Sequence, residues 1–395
     1  MRRLDPTGDP ARAVASGFYV SPHNAVSQRI ATRIELEPAS SHLLVGGIGS
    51  GKTTELIAIE QKLAEVEDLF SVRIDVPSHH RLDKLKPGVL LALAATEASA
   101  ELKREWTGGV AVDPQLLQEL ERISTIAKGY WDAGHDDPYD DGDEHWVQGI
   151  LEEPLLSVNV QALSEALSQV SGALQRKLVI LFDGLDRVAD LGLLASVLAE
   201  DVPALCRAGV GLVIVAPQHL RFSPQKIVEK VFETVHLHGA IGTTTAEGRD
   251  FLTAVLRARA DEEVLPLDSA TALAYQSGGL LRDLVALARA AGAEAYTGGS
   301  DAIQATHVNT ASDRFGRDLV LGCTKEMAAR LKELKPVPPA PPGTRRHVSP
   351  PEFTVATELD QRLLMERLII EVPGTPVRYV LHPTILPLLV GLGTS

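Results

Sequence analysis

Residues 46–53 read Gly46-Gly47-Ile48-Gly49-Ser50-Gly51-Lys52-Thr53 and match the pattern G-x-x-x-x-G-K-[ST] at every fixed position. The apolar run Ser41-His42-Leu43-Leu44-Val45 precedes this stretch, and a helix-forming run over 54–63 follows it. Strand, glycine-rich loop and helix form the setting that a phosphate loop requires. Residues 41–63 therefore predict a strand–loop–helix unit and an α/β fold. The alternative is a chance glycine-rich turn.

The residue types of this loop suit a nucleotide. Glycines reach backbone angles that side chains forbid, so successive N–H groups can turn toward a phosphate at the N-terminus of the following helix. Lys52 would place its charge on the β- and γ-phosphates, and Thr53 would offer its hydroxyl to Mg²⁺. ATP or ADP with Mg²⁺ is thus the expected ligand. The residues predicted to bind it here are Gly46, Gly47, Ile48, Gly49, Ser50, Gly51, Lys52, Thr53 and Thr54.

A second stretch, Lys177-Leu178-Val179-Ile180-Leu181-Phe182-Asp183, predicts a strand buried on both faces of a parallel sheet and ending in an acid. Open α/β sheets hold their ligands at the carboxyl ends of their strands. We expect Asp183 to hold Mg²⁺ and Asp186, three residues later, to orient the attacking water. The alternative is a buried strand followed by a solvated acidic turn.

Three more apolar runs, over 70–76, 210–216 and 233–238, bring the predicted strands to five. Their order along the chain resembles that of the additional-strand P-loop ATPases, in particular the AAA+ and STAND groups. The resemblance implies a three-layer core with a parallel five-stranded sheet, followed by an all-α lid and a winged-helix-like segment. Both groups usually carry Glu as the second acid after the third strand. Asp186 is one methylene shorter, so the resemblance implies slow hydrolysis.

Three single residues also resemble sensors in these groups. Arg282, in Ser277-Gly278-Gly279-Leu280-Leu281-Arg282, matches the G-x-x-R of the helical lid, which implies a contact with the phosphates. Gln218 follows the fourth strand, near the position of a polar γ-phosphate sensor. His382 resembles the STAND histidine that touches the β-phosphate of ADP, although Pro383 replaces the acid often found next. The alternatives are a surface Arg after a helix–helix turn, a solvated Gln in a turn, and a His that caps the wing.

The patterns predict three domains. Residues 1–243 form the ATPase core, with a helical insertion at about 77–176 that includes an acidic loop at 132–145. Residues 244–315 form the lid, and residues 316–395 form the winged segment with a Pro-rich loop at 336–343. Near the N-terminus, Phe18 and Tyr19 would lie against the adenine, as the resemblance implies, or simply pack on the core.

Composition excludes several classes of protein. The 395 residues include 52 acidic and 38 basic side chains, a formal charge of −14, which disfavours DNA binding without a local basic patch. Two cysteines are too few for a disulfide framework. The sequence contains no apolar run of the roughly 18 residues that span a bilayer and no secretory signal. We therefore expect a cytoplasmic protein, and its Ala-, Leu-, Arg- and Gly-rich composition is typical of GC-rich bacteria.

Together these features predict a slowly hydrolysing ATPase that acts as a molecular switch. Its output would be assembly into a homo-oligomer or control of a separate effector protein, with bacterial antiphage defence as a setting implied by the resemblance alone. The main alternative is a DNA-associated AAA+ ATPase, similar to transposition regulators or origin initiators. A nucleotide-binding scaffold without turnover is the second alternative.

Overall fold

The computed structural model describes residues 10–22, 25–106, 165, 167, 168, 176–222, 226–334, 353, 355–374 and 377–389. Its internal contacts divide the chain into two compact units. We call Asn24–Val45 with Glu55–His236 the sheet unit. We call Met1–His23, Gly46–Thr54 and Leu237–Ser395 together the loop–lid unit. The predicted boundaries after residues 243 and 315 stay predictions. Residues 107–164 of the predicted helical insertion, which include the acidic loop, and the Pro-rich loop lie outside the described residues.

The sheet unit is built on a five-stranded parallel sheet with the strand order β2-β3-β4-β1-β5. The strands are β1 (Ser41–Gly46), β2 (Leu69–Asp75), β3 (Lys177–Asp183), β4 (Gly211–Pro217) and β5 (Thr234–Leu237). Every residue of β1 and β4 is buried, and β3 is buried from its second residue onward. Strands without polar alternation are expected where helices cover both faces of a sheet. The predicted sheet is confirmed.

Helices α2 (Val26–Leu36), α4 (Val76–His79), α5 (Val89–Trp106), α6 (Leu191–Arg207) and α7 (Ile227–Val231) belong to the sheet unit, and α3 (Lys52–Leu63) starts at the glycine-rich loop. On α2, Ile30 and Ile34 follow helical spacing and pack with Leu44, Val213 and Val215 of the sheet.

A buried carboxylate joins two of these helices. Asp201 of α6 accepts hydrogen bonds from the backbone N–H groups of Gly88 (2.5 Å) and Leu90 (2.8 Å) at the start of α5. Burial raises the pKa of Asp201 to about 7, although these N–H groups act in the opposite direction. The first N–H groups of a helix have no acceptor within that helix, and Asp201 supplies the acceptor for α5 from a neighbouring helix.

The lid consists of α8 (Ala246–Arg257), α9 (Leu267–Gln276), α10 (Leu281–Thr297) and α11 (Ala305–Leu319). Thr245 caps α8 by accepting a hydrogen bond from Gly248 N–H at 3.1 Å. Leu252, Leu273 and Leu287 are fully buried in the apolar core that the four helices share. The helical region predicted to follow the sheet core corresponds to these elements.

The winged segment consists of α12 (Lys325–Glu333), α13 (Glu358–Met365), strands β6 (Ile369–Val372) and β7 (Arg378–Leu381), and a 3₁₀ turn at Pro383–Leu388. Strands β6 and β7 pair as an antiparallel hairpin, with Ile369 opposite Leu381. A short helix, α1 (Pro10–Ala15), lies near the N-terminus. Among the described residues, no helix combines the length and the apolarity needed to cross a membrane.

Candidate nucleotide-binding site

The glycine-rich loop joins the end of β1 to the start of α3 and is held in shape by its own lysine. Lys52 is 5% exposed, and its Nζ donates hydrogen bonds to the carbonyl oxygens of Gly46 (3.0 Å) and Gly47 (3.1 Å). Gly49 adopts φ +82°, in the left-handed region that favours glycine. The ammonium group is thus fixed within the loop that the sequence assigns to phosphates.

Two observations fit this loop to an anionic ligand. The Oγ atom of Ser50 is buried and has no hydrogen-bond partner among the described residues. The loop also leads directly into the twelve-residue helix α3, whose first N–H groups have no partner within the helix and attract negative charge. A phosphate is the group that these donors and the Lys52 charge suit.

Magnesium at nucleotide sites is held by one or two protein groups together with phosphate oxygens. No cluster of three or more His, Cys, Asp or Glu side chains that would bind a metal by itself occurs in the described part of the chain. Thr53 lies in the first turn of α3, and Thr53 and Asp183 stay the predicted ligands.

The start of lid helix α10 touches the loop. The backbone N–H of Arg282 donates a hydrogen bond to the carbonyl oxygen of Gly49 at 3.0 Å. A Cβ atom added to Gly49 would lie 2.8 Å from the Arg282 Cβ, so only glycine allows this approach. The Arg282 side chain is exposed in the first turn of α10. The structure therefore brings the predicted sensor beside the loop, and its contact with a phosphate stays a prediction.

His238, which sequence reasoning had assigned only to the fifth strand, also holds the loop. It follows β5, is 7% exposed, and its Nε2 lies 2.9 Å from the Ser50 carbonyl oxygen. Because a carbonyl only accepts, Nε2 carries the proton in this hydrogen bond. The signal in the sequence was a polar residue at the carboxyl end of a predicted strand, where α/β sheets place functional side chains.

The two predicted acids lie in the sheet unit. Asp183 ends β3, is buried, and accepts a hydrogen bond from the Gly184 N–H at 2.8 Å. Asp186 lies in the 3₁₀ turn Leu185–Arg187 and is partly exposed. Asp75, at the end of β2, is the register partner of Asp183 and was not singled out from the sequence. Its position became visible only once β2 and β3 were seen to pair.

Gln218 starts the 3₁₀ turn Gln218–Phe222 directly after β4. It is 8% exposed, so the alternative of a solvated side chain does not describe it. Its proposed role as a γ-phosphate sensor stays a prediction.

His382 is fully buried at the end of the wing. Its Nδ1 accepts a hydrogen bond from the Thr384 hydroxyl at 2.8 Å, and its Nε2 lies 3.4 Å from Oδ2 of Asp283. His382 thus caps the 3₁₀ turn Pro383–Leu388 that follows the wing. The predicted contact of His382 with ADP is not tested by it.

Phe18 packs within the loop–lid unit. The Arg259 guanidinium lies 5.5 Å from the centre of its ring, and Arg259 Nη1 donates to the Phe18 carbonyl oxygen at 3.0 Å. Val20 packs against the lid core. These contacts show that Phe18 packs against the lid. A contact of Phe18 with adenine stays a prediction.

Comparison with known proteins gives only distant likenesses. No family model and no curated protein matches the sequence. Among solved structures, the chain is similar to the Aeropyrum pernix ORC1 protein in complex with DNA, with 16% identity, coverage of 94% and 93% of the two chains and a TM-score of 0.46. It is also similar to Cdc6p from Pyrobaculum aerophilum, with 12% identity, 99% and 97% coverage and a TM-score of 0.45. The Aeropyrum pernix ORC2 protein in ADPNP–ADP complexes gives 14% identity, 99% and 96% coverage and a TM-score of 0.44.

Proposed function

We propose that this chain is an ATP-binding switch of the P-loop ATPase type, in which the bound nucleotide sets the position of the lid and the winged segment. The observation that carries the proposal is the hydrogen bond between Arg282 N–H and the Gly49 carbonyl. It joins the loop that would hold phosphates to the first turn of a lid helix. A change in the bound phosphates that moves the loop would therefore be transmitted to the lid through this one hydrogen bond.

The phosphates would be held by Lys52 and the N–H groups of the loop. Mg²⁺, which the sequence assigns to Thr53 and Asp183, would neutralise charge on the phosphate oxygens. Asp186 would orient the attacking water, and its short side chain favours slow turnover. Slow turnover suits a switch, because each nucleotide state then lasts long enough to be sensed.

The energy required limits what Arg282 alone can do. Moving a two-state protein from mostly closed to mostly open takes about 5.5 kcal/mol of differential binding. One charge-assisted hydrogen bond contributes about 1.5–3 kcal/mol. Arg282 must therefore act together with a second contact that also distinguishes ATP from ADP.

Titration of the protein with ATP, ADP and a non-hydrolysable ATP analogue, followed by calorimetry, tests the proposal. We expect Mg²⁺-dependent binding of all three and slow phosphate release from ATP. Light scattering should show a different mass with ATP analogue than with ADP. Nucleotide binding without phosphate release and with one mass in every state would instead establish the scaffold interpretation.

A DNA-associated ATPase is the second candidate. The order of sheet unit, lid and helix–hairpin segment favours it, and the Aeropyrum pernix ORC1 protein was solved with DNA. The formal charge of −14 disfavours it, because negative charge on the protein is repelled by the phosphate backbone of DNA. Fluorescence anisotropy with duplex DNA at low and physiological salt separates the candidates. Tight binding that weakens steeply with salt would establish the DNA-associated function.

Three narrower predictions have no support in the described residues and stay predictions from resemblance. These are the separate effector protein, the setting in bacterial antiphage defence and the specific likeness to STAND switches. The cytoplasmic location likewise stays a prediction.

A further inference from the structure

Asp283, the neighbour of Arg282, is a buried acid with partners in the winged segment. Its side chain is 1% exposed and lies in the first turn of α10, where the helix dipole favours a carboxylate. Oδ1 accepts a hydrogen bond from Arg367 Nη1, and Oδ2 lies 3.4 Å from His382 Nε2. Asp283 thus contacts one side chain that precedes β6 and one that follows β7.

The two partners are themselves held in place. Arg367 precedes β6 and adopts φ +59°, which is unusual for a residue other than glycine and is retained where surrounding contacts demand it. His382 follows β7, and its backbone N–H donates to the Leu368 carbonyl oxygen at 3.0 Å. Because Nδ1 of His382 accepts from the Thr384 backbone N–H (3.4 Å) and lies 2.8 Å from its hydroxyl, the remaining ring proton sits on Nε2, facing Asp283.

The hairpin also packs on the turn that precedes α10. A Cβ atom added to Gly278 would lie 2.2 Å from Cδ1 of Ile370 in β6, so the Ile370 side chain packs directly against the turn. Leu280 and Ile370 share a small apolar cluster with Ala240 and Val372. The start of α10 is therefore held by the hairpin through apolar packing and through a buried ion pair.

Successive residues of α10 thus contact two different segments, the glycine-rich loop and the β6–β7 hairpin. Leu281 and Arg282 contact the glycine-rich loop at Gly51 and Gly49, and Asp283 binds the hairpin. A helix turn is rigid, so a shift of Asp283 moves the Arg282 backbone with it. Removing Arg367 would leave the Asp283 carboxylate buried without its partner, and the first turn of α10 would have to move to solvate it. Removing the carboxylate instead would release the first turn of α10 from the hairpin.

We propose that Asp283 is a positioning residue through which the winged segment sets the contact between Arg282 and the phosphate loop. A partner that binds the winged segment and displaces Arg367 or His382 would then change nucleotide affinity, and nucleotide would change affinity for that partner by the same factor. The proposal rests on the proposed function for its nucleotide, but the coupling between hairpin and loop exists with or without a ligand.

The chain contains a matched control. Asp360 occupies the same third position in α13 as Asp283 does in α10, its side chain is also 1% exposed, and it pairs with Arg330 Nε at 2.9 Å. Asp360→Asn therefore breaks an aspartate–arginine pair of similar burial in the same unit, and it also weakens the hydrogen bonds that Asp360 accepts from Thr357. In the part of the chain that the structure describes, no hydrogen bond or ion pair joins Asp360 to the first turn of α10, so this variant reports the general cost of losing such a pair.

Hydrogen exchange of the Arg282 amide provides a readout that needs no nucleotide. We expect this amide to exchange faster in Asp283→Asn and Arg367→Gln, because its bond to the Gly49 carbonyl opens more often, and at the wild-type rate in Asp360→Asn. Equal acceleration in Asp360→Asn, or no acceleration in Asp283→Asn, overturns the proposal. If Asp283→Asn does not fold, Arg367→Lys replaces it. This variant keeps the positive charge, and we expect it to accelerate exchange of the Arg282 amide by a smaller factor.

Calorimetry with ADP and the ATP analogue forms the second arm. Asp283→Asn should weaken binding by about 5- to 150-fold, the usual range of coupling between sites. Asp360→Asn should bind as wild type does, and wild-type affinity in Asp283→Asn overturns the proposal. If wild-type protein binds no nucleotide, the proposed function fails, whereas the exchange measurement still decides whether the winged segment controls the loop.

Discussion

The backbone N–H of Arg282 and the carbonyl oxygen of Gly49 form a 3.0 Å hydrogen bond between the lid and the glycine-rich loop. Because the bond is made by the backbone, it persists when the Arg282 side chain is removed. Two properties of this residue are therefore separable by mutation: its place against the loop and its charge.

Arg282→Ala is expected to retain ADP binding and to lose preference for ATP over ADP. The charge that would meet the γ-phosphate is gone, whereas the backbone contact with Gly49 remains. The affinity ratio should fall by about 10- to 150-fold, corresponding to a charge-assisted bond of about 1.5–3 kcal/mol. Calorimetry with ADP and an ATP analogue measures the ratio, and light scattering shows whether ATP-dependent assembly weakens. Arg289→Ala, on the same helix, is the control. An unchanged ratio would remove Arg282 from nucleotide sensing.

Lys52→Ala is expected to abolish ATP and ADP binding. The mutation removes the charge for the phosphates and also the two hydrogen bonds to Gly46 and Gly47 that shape the loop. Lys62→Ala, near the end of the same helix, removes an exposed ammonium that binds Gln28 and should leave affinity unchanged. Calorimetry compares the three proteins. Wild-type affinity in Lys52→Ala would show that the loop is not the phosphate site.

Asp186→Asn is expected to lower phosphate release by about 10²-fold or more while ATP still binds, because the carboxylate that would orient water is lost and the glycine-rich loop is untouched. Phosphate release and calorimetry are measured on the same preparation. Asp190→Ala, which removes only the cap of α6, should cost about 1 kcal/mol of stability with little effect on turnover. Full turnover in Asp186→Asn rejects the assigned role, and lost binding would place Asp186 among the binding residues.

The pair His42 and His236 is expected to make the sheet unit sensitive to acid. His42 Nδ1 and His236 Nε2 lie 3.2 Å apart. Burial, and for His42 the neighbouring His236 and Arg33, lowers the pKa of both rings from 6.5 to about 4. Between these values the two rings bind more protons in the unfolded chain than in the folded one. The stability that depends on their neutral form is therefore complete above pH 6.5 and is lost as the pH falls through this window toward about 4.

Urea unfolding at about pH 7.5 and about pH 5 measures this loss. His236→Gln should lower stability at the higher pH, because a ring–ring hydrogen bond is replaced, and should reduce the drop between the two pH values. His79→Gln, in the same unit and outside this pair, is the control. An equal drop in wild type and His236→Gln would show that the pair does not carry the acid sensitivity.

Local pattern was sufficient for most of the fold. The five strands appear within a few residues of their predicted bounds, and the region predicted as an all-α lid forms helices, because each element carries a hydrophobic pattern that its own neighbours along the chain reveal. The strand–loop–helix setting of the glycine-rich loop was equally clear, since its residues form one continuous segment of the chain. Asp183 was predictable for the same reason, as the acid that ends an apolar run.

Contacts between distant segments were not predictable from the sequence. Three contacts join residues that lie tens or hundreds of positions apart in the chain. They are the hydrogen bond from His238 to Ser50, the register pairing of Asp75 with Asp183, and the contacts of Arg367 and His382 with Asp283. Sequence periodicity reports which face of an element is buried but not which side chain it meets. Asp283 was not singled out from the sequence, and only the packing of the hairpin made it a buried ionic partner.

The sequence by itself therefore determined the strand–loop–helix unit, the strands and the candidate phosphate ligands, because these depend on residues adjacent in the chain. Tertiary structure alone decided that Arg282 meets the loop through its backbone, that His382 is buried against Asp283 and that the winged segment is tied to α10. The physical reason is that hydrogen bonds and ion pairs require specific distances between atoms. Those distances exist only after the apolar faces of separate elements have packed together.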